Sequence, residues 1–164
     1  MCLRVRGVIW PERHRDYLSD TPLAFSAMTE LQLEERLRIA RSGLLSTADL
    51  NGNSHIVPIV FAVTTDRLVS AVDHKPKTTR ELKRLSNIAA NPQVSVLMDH
   101  YDEDWSQLWW VRVDGSARVL DGGREFEAAL DALVDKYEQY KNHRPVGPVI
   151  EIAMDRVTGW SASR

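Results

Sequence analysis

The chain has 164 residues, 43% of them hydrophobic and 27% charged, which fits one folded domain of ordinary size and excludes a disordered chain. Its 21 Lys and Arg against 23 Asp and Glu leave a net charge of -2, which argues against a nucleic-acid binder working through bulk positive charge. No apolar run is long enough to span a bilayer, and the single cysteine, Cys2, allows neither an internal disulfide nor a Cys-x-x-Cys metal motif; a soluble cytoplasmic protein is expected.

Residues 1–28 mix Arg4, Arg6, Arg13 and Arg15 with Pro11, Pro22, Asp16 and Asp20 without sustained periodicity. They read as an irregular N-terminal arm. The apolar piece Val8-Ile9-Trp10 is cut short by Pro11, so the arm does not read as a signal peptide. The folded domain is expected over 29–164. Thr29 reads as a helix N-cap, with Glu30 where the helix dipole favours an acid. Leu33, Leu37 and Ala40 share one face of that helix, which Gly43 is expected to end.

Strands come next. Leu44 to Asp49 and Ser54 to Val63 flank Asn51-Gly52, a dipeptide suited to a tight hairpin. The second of these strands is apolar on both faces, so it needs cover on both sides, from another element or another subunit. Pro58 sits inside it and has no N–H to give a ladder, which predicts an unpaired stretch facing a gap or a ligand. A third strand is read at Leu68 to Val72, a helix from Thr79 to Ala90, and two more strands at Val94 to His100 and Leu108 to Leu120. After Asp121-Gly122-Gly123, a helix runs to about Tyr140, its apolar face made of Phe126, Leu130, Leu133, Tyr137 and Tyr140. Alternation at Ile150, Ile152 and Met154 gives a last strand. About six strands with interspersed helices predict a small antiparallel barrel with helices at its ends.

The most informative stretch is Asp73 to Arg84, which gathers Lys75, Lys77, Arg80, Lys83 and Arg84 in a net acidic chain. Thr78 and Glu81 have capping-box spacing, which would start a helix just after Lys77. Free backbone N–H groups, the helix dipole and two lysines would then converge as a phosphate site. A solvated basic helix start is the other reading, and Glu81 competes for the same dipole. Trp105, Trp109 and Trp110 are too large to leave unpacked; core or interface packing is expected for the last two. Asp102, Glu103 and Asp104 lack calcium-loop spacing, the five histidines are scattered, and no metal site is expected. With no nucleophile elbow, P-loop or dinucleotide fingerprint, hard chemistry would have to come from a cofactor.

Several ordered pieces resemble one family. They are Gly43-Leu44-Leu45-Ser46-Thr47, His55-Ile56-Val57-Pro58-Ile59, Asp73-His74-Lys75-Pro76-Lys77 and Asn87-Ile88-Ala89-Ala90-Asn91-Pro92. The block from Asp99 to Gly115, Lys136-Tyr137-Glu138-Gln139-Tyr140 and Gly159-Trp160 continue the series. Together they resemble the flavin/deazaflavin oxidoreductases with a pyridoxamine 5'-phosphate oxidase-like split barrel, and within them the actinobacterial branch using coenzyme F420. The resemblance covers roughly Thr29 to the C-terminus. It implies a six-stranded antiparallel split β-barrel of the FMN-binding type, built as a homodimer with cofactor at the subunit interface. It places the cofactor's phosphate against Lys75, Lys77 and Thr78. It places the ring beside Ser46, Thr47, His55, Val57, Pro58, Ser70, Ala71 and Val72, with Trp105 and Trp110 as further candidates from the opposite subunit. The implied activity is hydride transfer from reduced deazaflavin to an electron-poor small molecule, with Tyr101, His55 or solvent as proton donor. Two alternatives stay open: an FMN-dependent oxidoreductase on the same barrel, and a non-catalytic carrier of the cofactor, or of haem in another branch. Haem is the weakest, because no histidine is placed as an obvious axial ligand.

Overall fold

The computed structural model describes residues 24–72 and 82–163. Alternation with period two builds the sheet. In β2 (Gly43–Ala48), β6 (Gln93–His100) and β7 (Trp109–Leu120), the residues Leu45, Val96, Met98, Val111 and Val113 turn inward and are essentially buried. The remaining strands are β1 (Ala24–Ala27), β3 (Ser54–Ile59), β4 (Ala62–Val63), β5 (Arg67–Ala71) and β8 (Val149–Ser163). All eight strands of the described residues join one antiparallel sheet in the order β3-β2-β6-β7-β8-β5-β4, with β1 on β8.

The two ends of that order, β3 and β4, are separated in sequence by only Val60 and Phe61. The sheet must therefore curl until its edges meet. The result is the expected antiparallel split barrel, with an unladdered seam between β3 and β4–β5. Eight strands replace the six expected for two reasons. The strand read as Ser54 to Val63 breaks at Val60 into β3 and β4, and Ala24–Ala27, read as irregular, pairs with the far end of β8. β8 itself runs on to Ser163 rather than stopping near Asp155, because β7 and then β1 supply partners for its second half.

Helices cover the barrel. α1 (Glu30–Ile39) starts at Thr29, whose side chain and that of Gln32 form a reciprocal capping box. It ends at Ala40 rather than at Gly43, since ψ 131 at Ala40 already turns the chain toward β2. α2 (Lys83–Ala90) lies against β2 and β7. The helix expected from Thr79 is not continuous: Leu82 is extended at the N-cap, with no side-chain cap. α3 (Gly123–Lys136) and α4 (Glu138–Asn142) replace the single helix expected to Tyr140, because Tyr137 between them is extended. One apolar cluster, including Leu45, Phe61, Leu68, Val96 and Ile152, fills the barrel. A second lies between α3 and the β4–β5 hairpin, around Val69, Leu130, Leu133 and Tyr137. No helix among the described residues is long and apolar enough to cross a membrane.

Candidate functional site

Pairing stops at the seam. Ala62 and Val63 face Val69 and Leu68 across the β4–β5 hairpin. Carried further, that register would set Phe61 against Ser70 and Val60 against Ala71, but the chain leaves the ladder there and enters β3 instead. Among the described residues β3 is an edge strand that pairs only with β2. The unpaired edge expected from Pro58 is therefore present on β3, while Pro58 itself stands opposite Leu44 in the β2–β3 ladder.

The corner where β3 turns into β4 is held from outside the sheet. The Tyr137 hydroxyl lies 3.0 Å from the Phe61 N–H, which donates to it, and 2.7 and 2.8 Å from the carbonyls of Phe61 and Arg41. With one proton, it donates to one of these carbonyls at a time. Burial pushes the Tyr137 hydroxyl above the usual tyrosine range, against the Phe61 hydrogen bond and the Arg41 charge. On the other bank, one step beyond the Ala71–Val149 pair of the β5–β8 ladder, the Val72 N–H donates to the Pro148 carbonyl at 2.9 Å. Gly147 makes this approach possible, because a Cβ there would run into the Val72 carbonyl oxygen. Both banks of the gap are thus fixed, and the chain leaves Val72 directly into 73–81.

The expected site residues separate into groups. His55, Val57 and Pro58 lie on β3, and Ser70, Ala71 and Val72 at the end of β5 lie across the seam from its corner. Lys75, Lys77 and Thr78 lie outside the described residues. Ser46 faces outward in a row with Ile56, Ser95 and Asp114 across four strands. Thr47, one residue on, is buried: its hydroxyl accepts a hydrogen bond from Asn87 Nδ2 at 3.0 Å and donates to the His55 carbonyl at 3.4 Å. Its hydroxyl ties α2 to the hairpin. Trp110 lines an outward cavity of about 430 Å³ with Leu44, Ile56, Leu97 and Tyr101. Trp105 stands apart on a short 3-10 turn, Trp105–Gln107, and is 59% exposed. Trp109 turns the other way, under the Arg36 guanidinium at 4.7 Å and stacked on His100, which is packing.

Next to that cavity, Ser95 Oγ donates to Asp114 at 2.6 Å, and Arg112 reaches the same carboxylate at 2.9 and 3.0 Å. Burial raises the Asp114 pKa, but the Ser95 and Arg112 contacts outweigh it and hold the carboxyl below its usual range. Arg112 is thereby neutralised. Tyr137 and Asn87, the side chains that fix the corner and the hairpin, gave no local signal in the sequence: their partners lie 76 and 40 residues away.

On the seam side, β3 has no ladder partner among the described residues. Strand edges offer backbone donors and acceptors, and Val57, Pro58, Ala71 and Val72 are apolar. Residues 29–161 match the pyridoxamine 5'-phosphate oxidase family. No curated protein matches the chain. Among solved structures, a FAD-binding protein from Mesorhizobium loti is 23% identical with a TM-score of 0.68, the alignment covering 85% of this chain and 99% of that one. The FAD-binding protein from Mycobacterium smegmatis is 20% identical, with a TM-score of 0.57 over 84% and 98% of the two chains. HutZ, the haem storage protein from Vibrio cholerae, is 12% identical, with a TM-score of 0.65 over 82% and 96%. At these identities the likeness is one of fold.

Proposed function

Because the chain belongs to the pyridoxamine 5'-phosphate oxidase family, we propose that it is a cytoplasmic, homodimeric oxidoreductase that holds coenzyme F420 at the barrel seam and reduces an electron-poor small molecule. The observation that carries this reading is the unpaired seam, with Lys75, Lys77 and Thr78 in the segment that leaves Val72. The strand edges bind and orient the ring, and the lysines pair with its phosphate. When bound, the reduced deazaflavin supplies the hydride. Tyr101, 69% exposed, and His55, half-buried, are the proton-bearing side chains of this chain nearest in role. The dimer is supported by an uncovered apolar face: Leu44 and Ile56 stand outward, 40% and 60% exposed. A partner subunit there would supply the second cover that this part of the sheet needs and would shelter the site from water.

What favours the deazaflavin is the Asp73-His74-Lys75-Pro76-Lys77 motif and the tryptophan block. A flavin in the same seam is the second reading, favoured by two fold neighbours named as FAD-binding. Titrating apo-protein with F420, FMN and FAD, followed by cofactor fluorescence, separates the two. Tighter binding of F420 is expected, and preferential tight binding of either flavin overturns the deazaflavin assignment. Turnover of reduced F420 with a panel of electron-poor acceptors then distinguishes a reductase from a carrier.

A further inference from the structure

A second concavity lies between α1 and α3, with Ala62 and Val63 of β4 and the turn residues Thr64 and Thr65 in its wall. Its volume is about 860 Å³, within the range of small-molecule sites. Leu33 and Leu37 of α1, with Met154 and Val157 of β8, give it an apolar floor. Lys136, at the last turn of α3, lines it. Its Nζ is buried 4.3 Å over the Phe61 ring and has no hydrogen-bond partner among the described residues. A buried donor without an acceptor is uncommon, and a charged one costs more than a neutral one.

The charges around it are unevenly placed. Glu30, Glu34 and Arg38 follow one another at four-residue intervals along α1, a stripe of about 12 Å. Arg38 stands at the same end of the helix as Arg41, whose guanidinium donates to the Lys136 carbonyl at 2.8 Å. Asp135 and the raised Tyr137 hydroxyl complete the titratable groups facing Lys136. Glu30, Glu34 and Asp135 are all exposed and none pairs with Lys136. Those carboxylates are open to solvent, whereas the ammonium has only the Phe61 and Tyr137 ring faces beside it, and no hydrogen-bond acceptor, among the described residues.

We propose that this groove binds a small amphipathic carboxylate, its acid group held by Lys136 and Arg38 and its apolar body on Leu33, Leu37, Met154 and Val157. The lysine's flexible stem lets Nζ leave the Phe61 ring for the incoming anion. Sodium decanoate is a direct probe, with decan-1-ol as the uncharged control. Decanoate is expected to raise the melting temperature and to shift amide resonances of α1 and α3. Lys136→Met is expected to weaken it by about tenfold or more, as loss of a charged hydrogen bond does, with Lys136→Arg restoring binding. Affinity should fall as pH rises past about 8, where Lys136 loses its proton. F420 or FMN titrations should be unchanged in Lys136→Met, which keeps this site separate from the seam. No binding at about 1 mM, equal binding by decan-1-ol, or full binding by Lys136→Met at unchanged pH dependence would each overturn the proposal.

Discussion

The Lys136 contribution to stability should rise with pH between about 8 and 10.5. Burial, and then the nearby Arg41 charge, lower its pKa from 10.5 to about 8. Between those values the unfolded chain carries a proton that the native state lacks, so the folded state gains stability as pH rises from about 8 toward 10.5 and loses it again on the way down. At roughly 1.4 kcal/mol per pH unit the ceiling is about 3.4 kcal/mol. The Lys136 side chain is partly exposed along its stem, and solvent screening cuts the effect to about 1–2 kcal/mol. Tyr137 works in the opposite sense: its raised pKa means that the unfolded chain ionises first, so stability falls again above about pH 10. Urea unfolding at intervals from pH 7 to 10.5, in wild type and Lys136→Met, isolates the lysine, because every other group cancels in the difference. Lys136→Met should be the more stable protein by about 1–2 kcal/mol at pH 7, with the gap closing by about pH 10. An unchanged gap across that range, or a variant less stable at pH 7, refutes the reasoning.

Tyr137→Phe leaves the Phe61 N–H and a carbonyl without a partner in a buried corner and should cost about 1–3 kcal/mol by urea unfolding, with weaker cofactor binding as the seam loosens. Asn87→Ala removes the donor to Thr47 and should cost about 1 kcal/mol, measured the same way. Ile56→Asp puts a charge on the uncovered apolar face; if the proposed dimer forms there, wild type should sediment as a dimer and the variant as a monomer, with cofactor affinity lost in parallel. Lys77→Glu should weaken cofactor binding by about 2–5 kcal/mol while leaving the fold intact; normal binding in a folded variant would remove the phosphate site.

Local signals in the sequence located the local structures. Thr29 caps α1 because an extended residue with a hydroxyl precedes the first turn. Gly52, at φ 81, turns the hairpin where Asn51-Gly52 stood, and the Asp49 carboxylate accepts from the Asn51 and Asn53 N–H groups. Pro58 marked the edge strand beside the seam. Structures that depend on distant partners were less legible. The second half of β8 carries Asp155 and Arg156 exposed and has no apolar alternation of its own; it is a strand because β7 and β1 are there to pair with it. Tyr137 fitted the apolar helix pattern, yet its extended backbone ends α3 and its hydroxyl serves two segments far away in sequence. Thr47 sat beside Ser46 in the motif, but the pleat sends the two to opposite faces, a distinction that period two dictates once the strand's inner face is known.

That pleat also divides the work among the expected site residues. On β3, Ile56 and Pro58 are exposed, whereas Val57 packs against the barrel core and Ile59 is part of it. A ring at the seam therefore meets β3 chiefly through backbone edge and Pro58, while the outward face around Ile56, Leu44 and Trp110 is free for a second subunit. Binding through strand edges specifies a planar heterocycle but tells one from another only weakly, because the backbone offers the same donors to each. On the proposed reading, discrimination between deazaflavin and flavin would rest on the 73–81 segment and on residues that a partner subunit would bring across the outer face. Exchanging 73–81 for the corresponding segment of a flavin-binding barrel should accordingly change which cofactor binds while leaving the fold and the Tyr137 corner as they are; a swap that left the preference untouched would move the discrimination to the partner's face.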